Sequence, residues 1–103
     1  MTETPTMNAS LKGKRVLVTA GANGIGLAIA RRFLRAGAEV HACDVDEAAC
    51  RAAADGHPGL GMSVTDVSSE AQVQALFGVL KDKWDGLDVL VNNAGVSGPT
   101  SRL

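Results

Sequence analysis

Tyrosine is absent from this sequence of 103 residues, and aromatic residues are few, with two phenylalanines and one tryptophan. A chain without tyrosine has no phenolic hydroxyl to act as an acid or base. No apolar run approaches the roughly 20 residues of a membrane-spanning helix. No charged segment followed by an apolar one opens the chain, so a signal peptide is not indicated. The net charge of −1 provides no basic surface for nucleic acid.

Cysteine is also scarce, and the two thiols, Cys43 and Cys50, match no metal-binding or redox spacing. Their number is typical of a reducing compartment, and we expect a cytoplasmic protein. His41 and Cys43 fall on one face of an expected strand, but a zinc site needs three or four ligands. We therefore expect these side chains to pack in or beside the core, and no metal is expected.

A glycine-rich stretch is the most informative feature of the chain. Residues 16–18 are a short apolar run typical of a buried strand. Gly21, Gly24 and Gly26 follow, and a strong helix-forming segment extends to residue 36. A strand, a glycine turn and a helix in this order aim the unpaired N–H groups of the helix start at a phosphate. The spacing is Gly-x-x-Gly-x-Gly rather than the usual dinucleotide fingerprint, and an ordinary structural turn is the alternative.

Strand and helix patterns alternate along the rest of the chain. The expected strands cover residues 16–18, 39–44, 60–65 and 87–91, and the expected helices cover 24–36, 47–54 and a segment that starts at a Ser69–Gln72 capping box. Two apolar stripes are expected to face the core, namely Ile25, Ile29 and Phe33 in the first helix and Val73, Leu76, Phe77, Leu80 and Trp84 in the third.

This alternation predicts an α/β fold with a parallel, doubly wound sheet of the Rossmann type, which ends after its fourth strand. Right-handed crossovers give the strand order 3-2-1-4. The carboxyl ends of strands 1 and 4 then flank a ligand crevice, so the glycine turn and the Asn-Asn-Ala-Gly run at residues 92–95 face each other. Residues 1–10, rich in threonine, are expected to be a disordered arm, and residues 11–103 a nucleotide-binding half-domain.

These two motifs together resemble the short-chain dehydrogenase/reductase family. The family's cofactor motif, Thr-Gly-x-x-x-Gly-x-Gly, corresponds here to Thr-Ala-Gly-Ala-Asn-Gly-Ile-Gly at residues 19–26. Gly24 and Gly26 match, whereas Ala20 replaces the first glycine and Gly21 follows one place later. The Asn-Asn-Ala-Gly motif is complete at residues 92–95. The resemblance covers about residues 12–95 and implies an N-terminal, cofactor-binding half of such a domain.

The resemblance implies a role for each matching residue. The diphosphate of the cofactor would rest on backbone N–H groups, and Asp44, at the end of strand 2, would accept the hydroxyls of the adenine ribose. A carboxylate repels a 2′-phosphate, and neither Asn23 nor Val45 is basic, so NAD is expected rather than NADP. The alternative for Asp44 and for Asp66 is that each caps the following helix. The full set of expected cofactor-binding residues is Gly21, Asn23, Gly24, Ile25 and Gly26 at the diphosphate, Asp44 at the ribose, Asp66 and Val67 at the adenine, and Asn93, Ala94 and Gly95 at the second ribose.

The resemblance further implies an oxidoreductase that transfers a hydride between NAD(H) and a small alcohol or ketone, and that forms a homo-oligomer at full length. The family's catalytic Ser and Tyr-x-x-x-Lys lie later in chains about twice this length, so no catalytic residue is assigned here. The chain is expected to be inactive alone, without nucleic-acid or membrane partners. The alternatives are a non-catalytic dinucleotide-binding or interaction module, and a flavodoxin-like binder of FMN, which Asp44 disfavours.

Overall fold

A computed structural model describes residues 11–93 of the chain. The expected arm at residues 1–10 and the expected site residues Ala94 and Gly95 lie outside this range. The described chain folds into four strands and three helices, which are β1 (Arg15–Thr19), α1 (Gly24–Arg35), β2 (Glu39–Asp44), α2 (Glu47–Gly56), β3 (Leu60–Val64), α3 (Glu70–Lys83) and β4 (Val89–Val91). Within residues 11–93, no helix has the length and apolarity needed to cross a bilayer.

The four strands form one parallel sheet in the order β3-β2-β1-β4. This confirms the predicted α/β class and the predicted strand order. β4 is shorter than the expected 87–91 and begins at Val89, directly after Asp88, which Arg15 holds in place. The backbone N–H and Nε of Arg15 both donate to Asp88 Oδ2, at 2.8 and 2.9 Å. The Arg15 side chain thereby lowers the pKa of Asp88 to about 2.

The two faces of the sheet support two separate apolar cores, which confirms that helices cover both faces. Val16 and Val18 of β1 point to one face, where they belong to one apolar cluster with Ala30 of α1 and Ala53 of α2. Leu17 points to the other face. There it packs in a cluster with Cys43, Leu76, Leu80 and Trp84. Complete burial of each large apolar side chain contributes about 1.5–3 kcal/mol.

Two of the residues assigned to the apolar stripes are exposed to solvent instead of facing a core. Ile25 is 73% exposed and Phe77 is 44% exposed. Ile25 lies in the first turn of α1 and lines the crevice instead of the core. Phe77 lies about 100° around α3 from the buried Leu76. Trp84 follows the end of α3, where it is buried and donates from Nε1 to Glu39 Oε1 at 2.9 Å.

The predicted capping box at the start of α3 forms in one direction only. Ser69 Oγ accepts from the Gln72 N–H at 3.3 Å, as expected. Gln72 Oε1, however, accepts from the N–H of Asp66 at 2.8 Å, and the N–H of Ser69 donates to the Asp66 carbonyl. Gln72 does not accept from the N–H of Ser69, because the Asp66 carbonyl in the preceding loop already accepts from that N–H.

His41 packs against the core, as predicted, and is 4% exposed. Its Nδ1 lies 3.0 Å from Lys83 Nζ and its Nε2 lies 2.8 Å from Ser63 Oγ. Because an ammonium group only donates, Nδ1 is the acceptor and Nε2 carries the proton. Burial and the Lys83 charge lower the pKa of His41 to about 4.

Both cysteines are buried thiols. Burial raises the pKa of Cys43 to about 11 and also raises the pKa of Cys50. In the part of the chain that the structure describes, no group of three His, Cys, Asp or Glu side chains is placed to hold a metal ion.

Candidate functional site

A cleft of about 560 Å³ opens at the carboxyl ends of the strands. This is the edge at which ligands bind in open α/β sheets. The cleft contains every expected cofactor-binding residue in the described range except Gly21 and Gly26. Its lining consists of Ala20, Asn23, Gly24, Ile25, Asp44, Val45, Thr65, Asp66, Val67 and Asn93.

The start of α1 forms the central wall of this cleft. Asn23 occupies the N-cap position, yet its side chain makes no capping hydrogen bond. The first hydrogen bond of the helix runs from the Leu27 N–H to the Asn23 carbonyl at 3.2 Å. The N–H groups before it have no partner within the helix, and the first turn contains no acidic side chain. The uncapped turn at Gly24 and Ile25 therefore presents the positive end of the helix dipole to the cleft.

Gly21 has a different role from the one expected. Its N–H donates to the Cys43 carbonyl at 3.0 Å and so does not face the cleft. A Cβ atom at this position would lie 2.7 Å from Ala42 Cβ. Gly21 therefore lets the turn pack closely on β2, and the prediction that it presents an N–H to the diphosphate is wrong in this structure.

Gly26 likewise allows a close approach and does not line the cleft. A Cβ atom there would overlap the Ala20 carbonyl oxygen and lie 2.9 Å from Asn93 Nδ2. The absence of a side chain lets α1 pass directly beneath the turn that precedes it.

Asp44 is oriented by backbone donors on both of its oxygens. Oδ2 accepts from the Ala22 N–H at 3.1 Å and Oδ1 accepts from the Asp46 N–H at 3.3 Å. The cap of α2 is Asp46, whose Oδ1 accepts from the Ala49 N–H at 3.0 Å. The capping alternative for Asp44 is therefore wrong. A carboxylate has about four acceptor positions, so Asp44 keeps acceptor capacity while its orientation is set.

Asp66 does not cap α3 either, because Ser69 does. Its Oδ1 accepts from both the N–H and the Oγ of Ser68, at 2.9 and 2.7 Å, and these bonds lower its pKa. Val67 beside it is 41% exposed. Together they form a polar corner and an apolar wall at the β3 end of the cleft.

Three lining residues are absent from the set of expected cofactor-binding residues, namely Ala20, Val45 and Thr65. Each directly follows a strand, and position after a strand end in a parallel sheet is the signal that would have found them. Thr65 is buried, and its N–H donates to the Asp44 carbonyl at 2.8 Å. It thereby joins the loops that follow β2 and β3.

The residues after β4 join the far side of the cleft to the glycine turn. Thr19 Oγ1 donates toward Asn92 Oδ1 at 3.2 Å, and Asn93 Nδ2 donates to the Ala20 carbonyl at 3.3 Å. The two motifs recognised in the sequence are therefore in direct contact. The cleft as a whole offers unpaired backbone N–H groups at its centre and carboxylates toward its β3 side.

The fold and this cleft define a Rossmann-type α/β protein. The family model for short chain dehydrogenases matches residues 14–103, and the chain belongs to this family.

Curated relatives and solved structures agree with this assignment. The chain is 40% identical over 101 residues to the short chain dehydrogenase/reductase dpmpG of Macrophomina phaseolina, covering 93% of this chain and 58% of that protein. It is 41% identical over 93 residues to L-fucose dehydrogenase of Bos taurus, covering 90% of this chain and 34% of that protein. A structure described as the Pseudomonas aeruginosa RhlG/NADP active-site complex superposes with a TM-score of 0.74 at 39% identity, covering 84% of this chain and 36% of the other. The chain therefore spans between about a third and three-fifths of the length of these proteins.

Proposed function

We propose that this chain forms the dinucleotide-binding part of an oxidoreductase that transfers a hydride between NAD(H) and a small alcohol or ketone. The observation that carries the proposal is that one cleft joins the uncapped start of α1 to the oriented carboxylate of Asp44. Such a site suits a ligand with a phosphate at its centre and ribose hydroxyls to one side. Membership of the family supports this function.

In the proposed binding mode, the diphosphate accepts hydrogen bonds from the N–H groups of Gly24 and Ile25, with Asn23 beside them. Asp44 accepts from the hydroxyls of the adenine ribose. Asp66 and Val67 border the adenine, while Asn93, followed by Ala94 and Gly95, borders the second ribose. Gly21 and Gly26 contribute by allowing the turn to pack closely.

Within this mode the cofactor supplies the hydride chemistry when it is bound. The residues of this chain bind and orient it, and the buried Thr65 forms part of the floor of the cleft. We assign no proton-transferring group to the chain, which contains no tyrosine. The predicted cytoplasmic location and the predicted homo-oligomer stay predictions.

We propose NAD rather than NADP because of the charge at Asp44. A 2′-phosphate in the place of the ribose hydroxyl would meet this carboxylate, and the described lining of the cleft contains neither Arg nor Lys to offset the repulsion. A like-charge contact of this kind costs several kcal/mol. NAD should therefore bind at least about a hundredfold more tightly than NADP. The RhlG structure named above was solved with NADP, which makes the preference worth testing directly.

The test is calorimetric titration of the chain with NAD, NADP and FMN. Asp44→Asn should weaken NAD binding about 10- to 100-fold, because a hydrogen bond to a charged group is worth about 1.5–3 kcal/mol. The same substitution should narrow the gap between NAD and NADP. Asp46→Asn is the matched control, since it removes a neighbouring carboxylate that caps α2 and should leave the preference unchanged. Binding of FMN but not NAD would overturn the proposal, and equal binding of NAD and NADP would overturn the preference.

A further inference from the structure

The peptide group between Ala20 and Gly21 is held at both of its polar ends. Its N–H, which belongs to Gly21, donates to the Cys43 carbonyl at the end of β2 at 3.0 Å. Its carbonyl, which belongs to Ala20, accepts from Asn93 Nδ2 at 3.3 Å. The two partners come from opposite sides of β1, because β2 and β4 are its neighbours in the sheet. One peptide group therefore links the three strand ends around the cleft.

Ala20 itself has an unfavourable backbone conformation. Its φ is +53°, and it is the one non-glycine residue with a positive φ in the described chain. This region is disfavoured about 5- to 30-fold for an L-residue with a Cβ atom. Something in the folded chain must therefore offset the preference of the alanine for other conformations.

The conformation of Ala20 affects the cleft directly. Ala20 lines the cleft and is separated by only two residues from Asn23, which also lines it and is followed by Gly24. On its other side the Ala20 carbonyl lies against Gly26, where even a Cβ atom would overlap it. A rotation of this peptide group would therefore displace either the start of α1 or the turn that leads into it.

From this geometry we propose that Asn93 is a positioning residue for the phosphate-binding turn. By donating to the Ala20 carbonyl, it holds the Ala20–Gly21 peptide group and offsets the cost of a left-handed alanine. This role is separate from any contact that Asn93 makes with a bound ligand, and its effect on affinity rests on the function proposed above. Glycine adopts a positive φ freely, so a glycine at position 20 would make the hydrogen bond from Asn93 less necessary.

The test is a cycle of four forms of the chain, namely wild type, Ala20→Gly, Asn93→Ala and the double variant. NAD affinity is measured by calorimetry and the urea midpoint is measured without ligand. Asn93→Ala should weaken NAD binding about tenfold in the alanine background, the value of one hydrogen bond. In the glycine background the loss should shrink to about threefold, so Ala20→Gly rescues part of the defect. A purely structural or purely ligand-contacting asparagine would show the same loss in both backgrounds.

The matched control is Asn92→Ala, which removes a neighbouring amide that interacts with Thr19 rather than with Ala20. Its effect should be equal in both backgrounds. An equal loss for Asn93→Ala in both backgrounds, in affinity and in urea midpoint, would overturn the proposal even if NAD binds. If wild type fails to bind NAD, the function proposed above is wrong, and the midpoints alone decide the role of Asn93. In that case, the positioning role of Asn93 would be supported if Asn93→Ala lowered the urea midpoint less in the glycine background than in the alanine background.

Discussion

Replacing Gly26 by alanine introduces a methyl group where the structure has no room for one. The new Cβ atom would overlap the carbonyl oxygen of Ala20 and lie 2.8 Å from its carbonyl carbon. These are backbone atoms that two strands hold in place, so they do not yield like the end of a flexible side chain. Asn93 Nδ2, at 2.9 Å, blocks another direction.

The expected cost follows from two opposing effects. Overpacking against backbone costs about 3 kcal/mol, at the upper end of the usual range. The better helix propensity of alanine offsets at most about 1 kcal/mol of this cost, because Gly26 lies in the first turn of α1. The net destabilisation is therefore about 2 kcal/mol, a large share of the 5–15 kcal/mol that stabilises a typical domain. The displaced turn should weaken NAD binding as well.

Urea unfolding followed by the fluorescence of Trp84 measures this effect. A loss of about 2 kcal/mol lowers the urea midpoint by about 1–2 M at the usual denaturant sensitivity. Gly78→Ala is the matched control, because this exposed glycine of α3 has nothing within 4 Å of its Cβ position. That substitution should raise stability by about 1 kcal/mol through helix propensity. A Gly26→Ala chain as stable as wild type would refute the close-approach explanation.

Two further predictions concern pH and use the same urea assay. The chain should lose stability as the pH falls from 6.5 toward 4, because unfolded His41 binds a proton that the buried ring, with its pKa of about 4, does not. His41→Gln should remove this loss, and Lys83→Met should reduce it by removing the neighbouring charge. A second loss should occur between about pH 4 and 2, because Arg15 holds the pKa of Asp88 at about 2 while the unfolded carboxyl already binds protons. Asp88→Asn should reduce the loss of stability between about pH 4 and 2 and leave the loss due to His41 unchanged. If Asp88→Asn left the dependence of stability on pH unaltered, the assignment of the lower loss to Asp88 would be contradicted.

The order of elements and the edge of the sheet at which the cleft opens could be predicted because they depend on local patterns. Short apolar runs, glycines and N-cap residues define strands, turns and helix starts, and the topology of a parallel sheet then brings the motifs of residues 19–26 and 92–95 to one edge. The resemblance to the family, together with its position at the end of strand 2, singles out Asp44.

What could not be predicted depends on partners distant in sequence. The N–H of Gly21 is not available to the cleft because it donates to the Cys43 carbonyl of β2. Nothing near Gly21 in the sequence indicates this hydrogen bond. The left-handed conformation of Ala20 is likewise not indicated by its neighbours in the sequence, and Asn93, which donates to its carbonyl, lies far along the chain. Ile25 is exposed because the first turn of α1 lies at the end of the sheet. The helical spacing of apolar residues does not indicate where the sheet ends.

The side chains of β1 alternate between the two faces of the sheet, and this limits where the chain can accept an inserted residue. Val16 and Val18 belong to one core and Leu17 to the other, so a single added residue before Leu17 would move Leu17 and Val18 to the opposite faces of the sheet and disrupt both cores. It would also advance Thr19 by about 3.3 Å along the strand and break its contact with Asn92. Length changes in homologous chains should therefore be found in the loops between elements, such as the one after α2, and not within this strand.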